Sequence, residues 1–299
     1  MTTGIMAPIL GTFYLSLLFI LLLFSQFLDA IDLSVKHPAQ GQLKVRLDYG
    51  LATQPIPGLS ESKRKENQHR YLFSSYLVFN EPVSSITDGQ LRMIAQVAHG
   101  EMEKDMQQYK PAFFPKGSTK PSYLPSVMTI VAFGNEIILS SSQKGRDGFI
   151  DEWPQSPVKL ALDRCSTLWR ERVVNDPGNN ADPAAWHKNQ AKCGEVNAFH
   201  QYYMTHTTAI PEVDPKVRVT TVVKGSKGFS ILPPCGTARN GEDEKEFWGC
   251  NLLVRDQDVH YIGQREKALP FALHKIAGGV QKKGQIQMCT RNHIIWEGE

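Results

Sequence analysis

A chain of 299 residues, 41% hydrophobic and 21% charged, has enough apolar material for a full core, which excludes a wholly disordered protein. Its formal charge of +3 is too mild for a dedicated nucleic-acid binder. The five cysteines are an odd number, so simple pairing leaves one over.

From Ile9 to Leu28 the chain is almost purely apolar, and Ser25, Gln26 and Asp29-Ala30 close the run. This pattern predicts an export signal over residues 1–30, although no Lys or Arg precedes it and Leu28 is bulky for its place before a cut after Ala30. The run is also near the roughly 20 residues that span a bilayer, so a retained anchor is the second reading. Both readings put the remainder outside the cytosol, secreted in the first case; the membrane is a partner only if the segment is uncleaved.

Residues 31–86 read as an extension: a pro-segment, an added strand pair, or both. Within it Leu43 to Tyr49 alternates apolar and charged residues like a half-buried strand. Ala52 to Arg70, with Pro55, Pro57 and the basic triplet Lys63-Arg64-Lys65, reads as an exposed linker, and Tyr71 to Phe79 as a strand or short helix. The main domain is expected over residues 87–299.

That domain opens on a helix. Thr87 and Gln90 have capping-box spacing, and Leu91, Ile94, Ala95, Ala98, Met102 and Met106 recur at helical intervals. Val127 to Phe133 and Glu136 to Ser140 flank Gly134-Asn135, which predicts a hairpin whose strands are covered on both faces. A second helix over Val158 to Val174 carries Cys165 and places Leu162, Leu168 and Trp169 on or near its buried side, and a third starts at Cys193 and runs to about Met204. Val217 to Val223 is a β-branched strand, Gly236 to Glu246 a polar loop, Asn251 to Val254 and Val259 to Ile262 short apolar segments, and Phe271 to Val280 a helix or loop before the tail. Helix, hairpin, helix, helix, strand, cysteine loop and strand, in that order, favour an α/β protein with a mixed sheet between two helical layers, an α/β/α sandwich.

The chemistry centres on Cys193-Gly194-Glu195, followed by Pro233-Pro234-Cys235-Gly236 and Gly249-Cys250. Three thiolates would leave zinc (Zn2+) a fourth position for water. Cys193 at a helix start would have its thiolate favoured by unpaired N–H groups. Glu195, two positions on, could reach metal-activated water without ligating the metal and act as general base, then general acid. The cysteines also admit other readings: a metal held by Cys193, Cys235 and Cys250 with a Cys165–Cys289 disulfide, or two disulfides and one free thiol.

These motifs resemble the zinc-dependent cytidine deaminase superfamily, whose pattern is His or Cys, any residue, Glu on one helix and Pro-Cys-x-x-Cys on the next, over a hairpin-led sheet. Cys193-Gly194-Glu195 and Pro234-Cys235 match, and the resemblance covers roughly residues 87–265. It implies hydrolytic deamination of a cytosine-type base in a nucleoside, a nucleotide or a nucleic acid. It also implies Cys193, Cys235 and Cys250 as metal ligands and Glu195 as proton carrier. The departure is the fourteen residues Gly236 to Gly249 in place of two between the last cysteines, with no Arg-Gln after Cys250-Asn251-Leu252.

Two other functions fit the residues. One is a disulfide-stabilised secreted binding protein with no catalysis. The other is a cysteine hydrolase pairing Cys193 with His200, His206 or His260. Phe199, Tyr202, Tyr203 and Trp248 read as core rather than base-stacking surfaces, and Lys224, Lys227 and Lys245 as solvated loop residues that could meet phosphate.

Overall fold

The computed structural model describes residues 32–54, 69–109, 123–145, 147–176, 182–237, 247–288 and 294–298. The apolar N-terminal run, the basic triplet, most of the loop from Gly236 to Glu246 with Lys245, and Cys289 lie outside these residues.

Leu43, Val45 and Leu47 are buried in alternation, but the strand here is only β1 (Arg46–Leu47). The backbone donors that a longer ladder would use are taken by carboxylates instead. Leu43 N and Val45 N donate to Glu101 at 2.9 and 3.3 Å, and Leu47 N to Asp105 Oδ2 at 2.7 Å. Helix α1 (Tyr49–Thr53) then starts at Asp48, whose side chain accepts from Leu51 N. Strand β2 (Arg70–Tyr71) leads into β3 (Phe73–Phe79), buried along nearly all its length.

Helix α2 (Asp88–Gln108) has the expected capping box, with Thr87 and Gln90 each bonding the other's backbone N–H. Its predicted apolar positions are all buried. Strands β4 (Val127–Phe133) and β5 (Glu136–Ser141) form the hairpin around Gly134, whose φ of 48° is left-handed. Short β6 (Lys144–Gly145) pairs with β2. Helix α3 (Pro157–Asn175) buries Val158, Ala161, Leu162, Cys165, Trp169 and Val173 along one face; Leu168 falls off that stripe and, against expectation, is 58% exposed. Helix α4 (Gly194–Thr205) follows, then β7 (Arg218–Gly225), β8 (Gly228–Ile231), α5 (Cys250–Asp256) and β9 (His260–Tyr261). A helix thus stands where only an apolar segment was expected after Cys250. The C-terminal part supplies β10 (Val280–Ile286) and β11 (Ile294–Trp296) rather than a tail; the polar Gln281-Lys282-Lys283-Gly284 middle of β10 hides the strand from a hydrophobicity pattern.

The nine-stranded sheet has the order β11-β10-β3-β5-β4-β7-β8, with β1 on β3 and β9 on β7. All its pairings are antiparallel except β7 with β9. Strand β3 sits between β10 and β5, so the stretch before residue 87 supplies an internal strand of this sheet. Two cores result, one under α2 and one under α3, α4 and α5, with alternate residues of β4 and β5 pointing into each. The architecture is mixed α/β, a largely antiparallel sheet with helices on both faces. Among the described residues no helix is long and apolar enough to cross a membrane.

Desolvation pushes the buried Asp105 carboxyl up to about 7, and burial raises Glu101 and Asp48 in the same direction. A raised acid pKa favours the folded state below the unfolded value near 4 and loses that contribution as pH climbs towards 7. Between pH 4.5 and 7.5, wild-type stability in urea should therefore fall relative to Asp105→Asn by on the order of 2 to 4 kcal/mol. A difference between the two that is flat with pH would contradict this assignment.

Candidate metal centre

Four potential ligand atoms, from His187, Cys193, Cys235 and Cys250, lie within 4.8 Å of one another and could hold a metal ion. Cys193, the N-cap of α4, is buried, Cys235 follows β8 on the Pro233-Pro234 turn, and Cys250 opens α5. Cys193 Sγ and Cys235 Sγ are 3.4 Å apart; His187 Nε2 is 3.4 Å from Cys250 Sγ and 3.8 Å from Cys235 Sγ. Sulfurs at about 2.3 Å from a tetrahedral zinc would stand about 3.8 Å apart, so the cluster has the right size and donor chemistry for zinc, though it does not identify that metal. All three cysteines, and Cys165, are unbridged thiols; burial pushes Cys165 up to about 12, which makes it inert.

The fourteen-residue insertion leaves its two cysteines side by side. Cys250 N donates to Cys235 Sγ at 3.2 Å and Asn251 N to Cys235 O at 3.0 Å. The approach depends on Gly249, because a Cβ there would lie 2.3 Å from Cys235 O and 2.8 Å from its sulfur. Hydrogen bonds from Cys193 and Cys250 hold the Cys235 thiol far below the ordinary range; the bond to Cys235 raises Cys193, and burial raises Cys250. Metal binding would displace the thiol protons.

Glu195 is in the first turn of α4, only 4% exposed, and its Oε1 accepts from Thr221 Oγ1 of β7 at 2.8 Å. Thr129 of β4 meets the same Thr221 hydroxyl at 2.7 Å. Burial, with the Cys235 thiolate second, pushes the Glu195 carboxyl up to about 7. The start of α4 is pinned by Gln143 N to Lys192 O at 2.9 Å and Asn197 Nδ2 to Ser141 O at 2.7 Å.

Cys193, Cys235, Glu195 and Thr221 open onto a cleft of about 480 Å³. Its rim carries Lys144, Lys188 and Lys192, and Glu195 is the single acidic residue among the described lining. Of the lysines singled out from sequence, Lys224 is paired with Glu103 at 2.6 Å and Lys227 is absent from the described lining. Phe199, Tyr202 and Trp248 are core residues, and Tyr203 packs against that core.

The cysteine-hydrolase arrangement is not present. His200 sits two helical turns above Cys193, roughly 10 Å along the axis, and bonds Ser156 Oγ at 2.9 Å. His206 is 3.3 Å from Glu136, and His260 is 3.2 Å from Asp88. The histidine that does join the cysteines, His187, escaped the sequence reading because it lies in an irregular stretch; His187-x5-Cys193, ahead of the helix start, was its only trace.

Comparisons of the chain with family profiles, curated proteins and solved structures find no match.

Gly194 lies where α4 meets the sheet: a Cβ on it would stand 2.2 Å from Thr129 Oγ1, 2.9 Å from Thr129 Cβ and 3.1 Å from Ser140 O. Gly194→Ala should cost about 1–3 kcal/mol of stability and weaken metal retention, read by urea unfolding and by metal content after dialysis. Unchanged stability and metal content would show that the helix start is not seated as described.

Proposed function

We propose that this protein is an exported zinc-dependent hydrolase that deaminates a cytosine-type base carried on a phosphate. The observation that carries the reading is the cleft in which two of the clustered cysteines and the buried Glu195 face the same space. The order of elements supports it: a helix, a hairpin, the helix Pro157–Asn175, a helix opening with Cys193-Gly194-Glu195, a strand paired to the hairpin, the short strand β8, then Cys235 and a helix opening with Cys250. The adjacency of Cys235 and Cys250 supports the reading despite the fourteen intervening residues. Export is supported by the apolar run from Ile9 to Leu28.

Cys193, Cys235 and Cys250 would hold the metal, which supplies Lewis acidity at the floor of the cleft. Thr221 orients the Glu195 carboxylate. Glu195 takes a proton from the attacking water and delivers it to the amino nitrogen that leaves as ammonia, base in the first step and acid in the second. Lys144, Lys188 and Lys192 give the rim a positive potential, which suits a phosphorylated substrate better than a free nucleoside.

A second reading, a purely structural zinc, is favoured by His187: three cysteines and one histidine are a donor set typical of closed sites. It would tie the turn at residues 187–193 to the segments bearing Cys235 and Cys250 without catalysis.

Ammonia release should be measured on cytidine, cytidine monophosphate and a short single-stranded oligonucleotide. The deaminase reading expects turnover, higher kcat/KM for a phosphate-bearing substrate at low salt, and loss of at least about 100-fold in Glu195→Gln with metal content unchanged. Turnover that survives Glu195→Gln would contradict Glu195 as proton carrier, and absence of turnover on all three substrates would favour the structural reading.

A further inference from the structure

We infer that His187 does not ligate the metal but donates its Nε2–H to the thiolates, so that the fourth coordination position stays open to the cleft. The inference rests on the metal-site part of the proposed function and extends it to the residue that separates an open site from a closed one.

A backbone N–H can only donate. Asn189 N and Ala191 N both reach His187 Nδ1, each at 3.2 Å, so Nδ1 acts as an acceptor and carries no proton. The ring is then the tautomer with hydrogen on Nε2, and Nε2 is the atom that faces Cys250 Sγ at 3.4 Å and Cys235 Sγ at 3.8 Å. A histidine that ligates metal through Nε2 has the opposite wiring: its Nδ1–H donates to a carbonyl, a carboxylate or water. Here the backbone supplies two donors where such a ligand needs an acceptor.

The turn is bent to make this so. Gln190 and Ala191 are in the left-handed region, with φ of 52° and 53°, a conformation that costs non-glycine residues energy and persists only where surroundings enforce it. Gln190 N to His187 O at 2.8 Å and Lys192 N to Asn189 O at 3.0 Å close the turn. Trp248 packs edge-on against the imidazole with centroids 5.0 Å apart, fixing the ring plane.

The same pattern extends around the cluster. Asn189 Nδ2 approaches Cys193 Sγ at 3.5 Å, Cys250 N bonds Cys235 Sγ, and His187 Nε2 serves Cys250 and Cys235, so each sulfur has an N–H donor. Three thiolates would overcompensate a divalent ion by one charge. Hydrogen bonds to the sulfurs withdraw part of that charge and preserve the ion's Lewis acidity. His187, like Cys250, is absent from the lining of the cleft, whereas Cys193 and Cys235 are part of it. His187 is therefore a positioning residue, acting through the sulfurs.

Zinc X-ray absorption on the full-length, zinc-loaded chain tests this without any activity assay. The expected spectrum has three sulfurs at about 2.3 Å and one lighter scatterer, with no outer-shell imidazole pattern. An imidazole pattern in the wild type overturns the inference, whatever the protein does to cytidine monophosphate. With cobalt in the site, His187→Ala should keep the three-thiolate charge-transfer bands but shift them to lower energy, with metal affinity reduced by about 10- to 100-fold. His187→Gln, which restores an N–H near the same place, should recover most of the shift. Equal spectra for all three proteins would overturn the donor role. An open three-sulfur spectrum with no ammonia release would uphold the inference and sink the deaminase reading. Failure to take up either metal would sink both.

Discussion

A cluster of buried sulfurs drawn from separate elements is the constraint on which this structure turns. Cys193 and Cys250 are buried and Cys235 nearly so, and their sulfurs crowd together with no bridge between them. Folding alone gives little reason to bring three thiols from separate elements to one buried point. A soft divalent ion would resolve the arrangement, and its binding energy would become part of the folding energy. The elements that meet there, the starts of α4 and α5 and the turn after β8, would then be tied by the ion as well as by the core.

The seat of α4 makes this geometry specific. Gly194 lets the helix start sit against Thr129 and Ser140, which brings Cys193 to one side of the contact and Glu195 to Thr221 on the other. With Cys-Gly-Glu at a helix entry, the ligand and the carboxylate diverge from one point yet reach a common cleft. Around it, hydrogen bonds reach the carboxylate from Thr221 and the sulfurs from backbone and side-chain N–H groups. The cleft carries Lys144, Lys188 and Lys192, whereas Lys224 and Lys216 elsewhere are paired with Glu103 and Asp258.

Much of this was legible in the chain. The capping box at Thr87, the Gly134-Asn135 hairpin and the helix opening at Cys193 are local signals, and local signals survive folding. The three cysteines and Glu195 were legible because their residue types and spacing carry chemistry. What escaped was non-local. The amides of Leu43, Val45 and Leu47 look like a strand's but bond carboxylates on α2, some sixty residues away. Strand β10 is polar in its middle and is a strand because β3 lies beside it. Leu168 was misplaced by one position on its helix, enough to turn it outwards. His187 belongs to no periodic pattern, and its role depends on two left-handed residues that no propensity would place at Gln190 and Ala191.

Metal content per chain tests the central claim most directly. Protein purified without added metal should contain close to one zinc per chain, and Cys193→Ser, Cys235→Ser and Cys250→Ser should each lose most of it, whereas Cys165→Ser should not. A metal-free wild type with Cys193 and Cys235 oxidised to a disulfide would contradict the account and leave a stable α/β fold without its chemistry.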